Sequence, residues 1–160
     1  MALLRVWLLL PSRVRLCVYR FLVAVGIRIY GHTTSSRTYR LPFGLYAKYG
    51  YNVLESEANV MRFLAQNTTI PVPRVIDCIE APKGAFIVMS KLPGEPLKNG
   101  LSLMTPDERA KFANDLGSTL KQLHSFTAPG GICGFGGGPF KDWRIAHDEK
   151  LGPFNSEKEF

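Results

Sequence analysis

Turn-forming residues divide residues 38–92 into two pairs of short segments with strand character, and one helical segment separates the pairs. The first pair meets at Pro42-Phe43-Gly44 and the second at Pro82-Lys83-Gly84. The predicted strands are residues 38–41, 45–49, 74–79 and 85–92. Because connections this tight join antiparallel neighbours, the pattern predicts two hairpins in one antiparallel sheet and argues against a Rossmann fold.

Segments with helical periodicity flank and separate these hairpins. Residues 55–66 are rich in helix formers and carry an apolar stripe of Val60, Phe63 and Leu64. A later helix begins at Thr105-Pro106-Asp107-Glu108, which combines a threonine cap, a first-turn proline and first-turn acids. Its predicted buried stripe consists of Phe112, Leu116, Leu120 and Leu123. The order helix, two strands, helix, two strands, loop and helix predicts an α+β fold.

The strongly apolar segment 1–30 is predicted to contain an amphipathic helix over residues 14–30, with Ser12 as N-cap and Gly31 as its stop. It carries too many arginines for an unassisted transmembrane helix, and no small-residue cleavage site marks a signal peptide. The predicted apolar face comprises Val14, Cys17, Val18, Phe21 and Val25, and the basic face Arg13, Arg20 and Arg28. Two alternatives stay open: the helix docks on the body of the protein, or it lies on an anionic lipid surface.

The net charge of +7 is concentrated near the N-terminus. Eight basic residues and no acidic residue precede Glu55, whereas from Glu55 onward twelve basic residues face thirteen acidic ones. Such a basic segment predicts an anionic neighbour: a membrane surface, a phosphate ligand or an acidic partner. Nucleic acid is not expected, because the arginines are interleaved with aliphatic residues and no aromatic stacking platform accompanies them.

The cysteines Cys17, Cys78 and Cys133 are odd in number and form no CxxC pair. A chain of this size does not need disulfide bonds to stabilise its core. We therefore expect buried free thiols and a reducing, cytoplasmic compartment.

Two residues have the chemistry needed to hold a nucleoside triphosphate. Lys48 lies in the middle of an apolar strand, where a lysine is costly unless it is paired or reaches a site. Glu57 follows nine residues later, early in the next helix, and a carboxylate there can orient the lysine toward phosphates. The alternative is that Lys48 faces solvent on an edge strand and Glu57 is an ordinary acid at a helix start.

The blocks around these residues resemble the aminoglycoside phosphotransferase-like kinases, especially their fungal members. The resemblance extends over residues 31–160 and rests on five ordered blocks. They are YRLPFGLYAKYG (39–50), SEANVMRFL (56–64), IPVPRVID (70–77), FIVMSKLPGEPL (86–97), and GGPFKDWRI with GPFNSEKEF near the end.

This resemblance implies a protein-kinase-like N-terminal lobe that binds ATP. Lys48 corresponds to the strand lysine that contacts the α- and β-phosphates, Glu57 to its helix partner, and Met89 to the residue behind the adenine pocket. The hinge corresponds to Ser90, Lys91 and Leu92, and the phosphate-covering loop to Thr34, Ser35 and Ser36. The implied division is an N-terminal helical segment (1–31), a nucleotide-binding lobe (32–92), and a hinge with the first helix and tail of an incomplete C-terminal lobe (93–160).

The sequence also departs from the family pattern. The HGD…N catalytic loop and the following metal-binding Asp do not occur, and no GxGxxG precedes Lys48. Six glycines within residues 130–138 predict a flexible loop rather than a dinucleotide site. We therefore expect no catalytic or metal-binding residue in this chain, a truncated C-terminal lobe, and Mg²⁺ only in a full-length relative.

The implied function is transfer of the ATP γ-phosphoryl group to a hydroxyl of a small molecule that the sequence does not identify. This transfer is expected of the full-length relative rather than of the chain by itself. Two alternatives are a non-catalytic binding or interaction module and a peripheral membrane protein that uses the basic N-terminal helix.

Overall fold

The computed structural model describes residues 2–32, 37–81, 84–94, 96–127, 130–142, 144–145 and 149–160. Two compact units make up the chain, Met1–Gly94 and Glu95–Phe160. The first unit contains α1 (Ala2–Leu8), α2 (Ser12–Tyr30), β1 (Thr38–Leu41), β2 (Leu45–Gly50), α3 (Glu55–Asn67), β3 (Val75–Ala81) and β4 (Gly84–Ser90). The second contains α4 (Leu97–Gly100), α5 (Pro106–His124) and a short 3₁₀ helix (Phe135–Gly137).

The four strands form one antiparallel sheet in the order β1-β2-β4-β3. The pairing of Leu41 with Leu45 leaves residues 42–44 as the connection, and both Phe43 (φ 62°) and Gly44 (φ 67°) adopt left-handed backbone there. The predicted α+β fold with an antiparallel sheet is therefore confirmed. Strand β4 ends at Ser90, two residues earlier than predicted, because the chain bends away at Pro93 and Gly94.

Helix α2 covers one side of the sheet, which we call the α2 side. An aromatic ladder runs across this side, with ring centroids 5.7 Å apart at its first step and 4.8 Å apart at its last. Its members, in spatial order, are Trp7, Tyr19, Phe86, Tyr49 and Tyr39. The ladder joins α1 and α2 to strands β4, β2 and β1, so the N-terminal helices share the core of the sheet.

The face of α2 that packs on the sheet is not the predicted one. Its buried residues are Tyr19, Val23 and Gly26, whereas Phe21 on the predicted apolar face is 67% exposed. The remaining members of that face, Val14, Cys17, Val18 and Val25, are exposed or only half-buried. Close backbone contact accompanies this orientation: a Cβ at Gly26 would lie 2.0 Å from the Arg40 carbonyl oxygen, so only a glycine fits this contact position.

The start of α2 also differs from the prediction. Ser12 is the first helical residue rather than the N-cap, Pro11 holds the cap position, and no side chain caps the helix. Proline fixes its own φ near the value a helix needs, which favours a helix start without a side-chain acceptor.

A buried polar cluster anchors α1 and α2 to strand β3. The Asp77 carboxylate, 4% exposed, pairs with the Arg15 guanidinium and accepts a 2.9 Å hydrogen bond from the Tyr19 hydroxyl. The Trp7 indole donates to the same hydroxyl over 2.6 Å. Because every polar group of the cluster has a partner, its burial is tolerated.

Helix α3 packs against the other side of the sheet, which we call the α3 side. Ala58 is buried there with Val53, Ala85 and Ile87, and Met61 packs against this cluster. The predicted stripe of α3, Val60, Phe63 and Leu64, is only half-buried. The helix therefore faces the sheet through its smallest residue, which brings its backbone close to β4.

In the second unit, the predicted start of α5 is confirmed. Thr105 is the N-cap, Pro106 is the first helical residue, and Thr105 and Glu108 form a reciprocal capping box. The hydrogen bonds from Thr105 lower the pKa of Glu108. The predicted buried stripe is wrong, because Leu116, Leu120 and Leu123 are exposed and Phe112 is only half-buried. Among the described residues of this unit, no layer covers that face of the helix.

No strand precedes the glycine-rich stretch 130–138 among the described residues between α5 and the stretch. It is held by a 2.7 Å hydrogen bond from the Gly134 N–H to the Gly138 carbonyl and by a bridge between Ile132 and Phe154. A dinucleotide-binding glycine motif follows a strand and opens a helix, and the described residues around this loop provide neither.

The three cysteines are free thiols, as predicted, but they differ in exposure. Cys17 is exposed on the outer half of α2, whereas Cys78 and Cys133 are half-buried, so the prediction of uniformly buried thiols is wrong. Burial raises the pKa of the Cys78 thiol, which makes it less reactive. No helix within the described residues combines the length and apolarity that crossing a bilayer requires.

Candidate functional site

Lys48 and Glu57 form an ion pair on the α3 side of the sheet. Alternation along β2 buries Ala47 on the α2 side and directs Lys48 to the opposite side, where it lies beside Ile87 of β4. Glu57, in the first turn of α3, meets the lysine Nζ through its Oε2 atom. Both side chains keep about a third of their surface exposed, 32% and 34%. The lysine is thus paired with a carboxylate while about a third of its side chain stays exposed to solvent.

The neighbouring acid Glu55 has a different environment. A hydrogen bond to Glu80 of β3, together with the charge of that residue, raises the pKa of Glu55. Glu55 therefore belongs to an exposed acid pair at the sheet margin, and Glu57 is the carboxylate of this turn that serves Lys48.

Met89 lies on the same side of the sheet as Lys48. It pairs with Tyr46 on β2 and with Val75 on β3, and it is half-buried. Because residues two apart on a strand share a side, Met89 follows Ile87 along the same surface of the sheet. A flat ligand that reached past Lys48 along this surface would meet the Met89 side chain.

The predicted hinge residues have unequal hydrogen-bonding capacity. The Ser90 N–H donates to the Arg74 carbonyl over 2.9 Å, and the Ser90 hydroxyl accepts from the Arg74 N–H over 2.9 Å. The Lys91 N–H donates to the Gly44 carbonyl over 2.8 Å. Leu92 is 40% exposed, and no described residue accepts a hydrogen bond from its N–H. Of the three backbone donors, the one on Leu92 is thus the one without an acceptor among the described residues.

The remaining predicted residues, Thr34, Ser35 and Ser36, lie outside the described residues. Within the described ranges, no group of three or more His, Cys, Asp and Glu side chains is arranged to hold a metal ion. The described side chains do not fit a Mg²⁺ site of their own, because no such group of ligands is brought together.

The sequence from residue 30 to residue 157, most of the chain, matches the model of the phosphotransferase enzyme family. The chain belongs to the phosphotransferase enzyme family. This match confirms the resemblance drawn from the five sequence blocks. The α+β unit with its four-stranded sheet is consistent with a kinase-like N-terminal lobe.

One curated relative is Clavilactone A biosynthesis cluster protein Y from the fungus Ampulloclitocybe clavipes. It is 44% identical over 54 residues, which cover 32% of this chain. The chain spans 13% of the length of that relative. No solved structure matches the chain significantly.

Proposed function

We propose that this member of the phosphotransferase enzyme family binds ATP on the α3 side of its sheet. The observation that carries the proposal is the ion pair of Lys48 and Glu57, which is held in place and yet one-third exposed. Lysine and carboxylate paired only to stabilise a fold would gain little at such exposure. A lysine that binds a phosphate must be reachable from solvent, so partial exposure is expected of a ligand-binding pair.

In the proposed complex, Lys48 contacts the α- and β-phosphates, and Glu57 keeps its ammonium group aimed at them. An ammonium carries three donors, so the bond to Glu57 leaves others for phosphate oxygens. The exposed Leu92 N–H donates to the adenine edge, the Ser90 and Leu92 carbonyls accept from it, and Met89 lines the back of the base pocket. The N–H groups of Ser90 and Lys91 take no part, because they are engaged by Arg74 and Gly44.

For the full-length relative, we propose transfer of the ATP γ-phosphoryl group to a hydroxyl of a small molecule. Family membership supports the reaction class, and the name of the relative places that protein in a biosynthesis cluster. When bound, Mg²⁺ neutralises the phosphate charge during such transfer. We assign no catalytic step to this chain, because its sequence has no HGD…N motif to accept the proton of the acceptor.

Nucleotide binding is tested by thermal unfolding of the full chain with and without ATP. We expect ATP to raise the melting temperature of the native chain and of Lys111→Met, which removes an exposed lysine of α5. Lys48→Met should abolish the increase, because the phosphate contact is lost. An equal increase in Lys48→Met, or no increase in the native chain at millimolar ATP, would contradict the proposal.

The absence of catalysis in this chain is tested separately with a coupled assay for ADP release in the presence of Mg²⁺. We expect no turnover above the rate of a heat-denatured sample. Turnover that Lys48→Ala eliminates would show that these residues catalyse phosphoryl transfer by themselves, and that part of the proposal would be wrong.

A further inference from the structure

Residues 6–29, which include most of α2, part of α1 and the connection between these helices, expose large apolar side chains. Leu9 is 83% exposed, Phe21 67% and Val6 62%. We call this surface the N-terminal outer face; its apolar members are Val6, Leu9, Leu10, Val14, Val18, Phe21 and Ile29. Single exposed apolar residues are ordinary, but a series of them along one helical region marks an interaction surface.

The fold holds this face outward. Tyr19 and Val23 are each 4% exposed on the opposite side of α2, and the Tyr19 hydroxyl donates a hydrogen bond to Asp77 of the sheet. Gly26 contacts the Arg40 backbone so closely that a rotated helix would place a side chain where no room exists. The apolar residues of the outer face therefore cannot turn into the core without breaking the buried polar cluster.

Positive charge accompanies the exposed apolar residues. The basic members of the face are the exposed residues Arg5, Arg13, Arg20 and Arg28. Arg15 does not belong to this set, because it pairs with the buried Asp77. No acidic side chain occurs before Glu55, so nothing in the helices opposes this charge. A surface of this composition is complementary to a partner that is both apolar and anionic.

We propose that the N-terminal outer face docks on an anionic lipid surface, with α2 lying parallel to the membrane. A helix that carries Phe, Val and Ile beside arginines matches an interfacial helix, since arginine stems follow the apolar region while their guanidinium groups stay with phosphates. An acidic protein is the competing partner, and absence of binding to anionic vesicles would favour it. The Lys48–Glu57 pair lies on the side of the sheet opposite α2, so docking through α2 does not involve it.

The proposal is tested by sedimentation of the full chain with two kinds of vesicle. One kind contains equal parts of phosphatidylcholine and phosphatidylserine, and the other contains phosphatidylcholine alone. We expect binding to the first kind and little binding to the second. Binding should weaken as salt is added, because the attraction is between exposed charges.

Two variants separate the apolar and the electrostatic contributions. The triple variant Arg13→Gln/Arg20→Gln/Arg28→Gln should weaken binding by roughly fivefold for each arginine. Its matched control, Lys111→Gln/Lys121→Gln/Lys150→Gln, removes the same charge from exposed positions of the other unit and should bind like the native chain. Phe21→Ser should weaken binding, whereas Leu103→Ser, at an 81% exposed leucine outside the face, should not.

A third variant gives a direct signal of depth. In Phe21→Trp, the tryptophan fluorescence, after subtraction of the signal of Trp7 and Trp143 in the native chain, should shift to shorter wavelength on vesicles with phosphatidylserine and be quenched by brominated lipid. Far-ultraviolet circular dichroism of each variant checks that it is folded, which is expected because the substituted side chains are exposed.

Three outcomes would overturn the proposal. The first is absence of binding to vesicles with phosphatidylserine, and the second is equal weakening by the lysine control, which would indicate nonspecific attraction. The third is self-association of the chain that Phe21→Ser abolishes while vesicles bind no protein, which would identify the face as a protein interface.

Discussion

The two sides of the sheet each carry an ion pair with a helix, and the pairs differ in burial. On the α2 side, the side chains of Arg15 and Asp77 are 14% and 5% exposed. On the α3 side, those of Lys48 and Glu57 are 32% and 34% exposed. The same type of interaction thus occurs in a closed environment on one side and an open one on the other.

This difference in burial indicates what each pair contributes. A buried pair stabilises the fold only as a complete set, since removing one partner leaves an uncompensated charge in a poorly solvated place. A half-exposed pair contributes little to stability, because water solvates both partners once they separate. We therefore assign the Arg15 pair to the attachment of α2, whereas the exposure of the Lys48 pair is consistent with the proposed ligand binding.

The largest effect is expected from breaking the buried pair. Asp77→Ala should lower the free energy of unfolding by about 3–5 kcal/mol. It leaves the Arg15 guanidinium without its carboxylate partner and removes the acceptor of the hydrogen bond from the Tyr19 hydroxyl. Urea denaturation followed by circular dichroism measures the change. The double variant Arg15→Met/Asp77→Leu should recover part of the loss, since no charge is left buried. A loss below about 1 kcal/mol in Asp77→Ala would show that the buried pair behaves like a surface pair.

An intermediate effect is expected from the hydroxyl that joins the same cluster. Burial, with an additional contribution from the hydrogen bond to Asp77, raises the pKa of Tyr19 from 10.0 to about 12. Stability gained by keeping this phenol protonated is fully present below pH about 10, the ordinary value, and is lost as the pH rises through about 12.

Tyr19→Phe should cost about 1–2 kcal/mol at neutral pH, because both hydrogen bonds of the hydroxyl are lost. The difference in unfolding free energy between native chain and variant should then shrink as the pH is raised above about 10, the ordinary tyrosine pKa. Urea titrations at a series of alkaline pH values measure it. A difference that stays constant up to the highest accessible pH would rule out the ionisation of Tyr19 as its source.

The smallest effect on stability is expected on the open side of the sheet. Lys48→Met should change the free energy of unfolding by less than about 1 kcal/mol, because the pair is exposed and a methionine covers the same surface. The same urea titration provides the measurement. A loss comparable to that of Asp77→Ala would assign Lys48 a mainly structural role and remove the contrast between the two sides.

Local signals in the sequence predicted several parts of the fold correctly. The cap at Thr105 and the turn at Pro42-Phe43-Gly44 depend on residues close together in the chain. Both can therefore be predicted without knowledge of the tertiary structure. The pair of Lys48 and Glu57 was also predictable, because a strand and the helix that follows it pack together over a short connection. The role of the pair in nucleotide binding stays a prediction.

Long-range contacts decided the parts that periodicity did not predict. The acid in β3 was a signal for a buried partner, since Asp77 interrupts an apolar strand. Its partners, Arg15 and Tyr19, lie about sixty residues away in the chain, and no local pattern connects them to it. Helix α5 shows the same limit, because its leucine stripe was correctly placed on one face but nothing local determines whether that face is covered.

The sequence by itself determined the order of the four strands and of α2, α3 and α5, the antiparallel hairpins and the family. It left the orientation of α2 open, because that helix carries apolar residues on both its inner and its outer half. Only the tertiary structure decided which half is buried: Gly26 permits backbone contact with Arg40, and Asp77 satisfies Arg15 and Tyr19. Hydrophobic periodicity alone does not determine which half of α2 is buried. Close backbone approach and charge compensation between residues distant in the chain determine it.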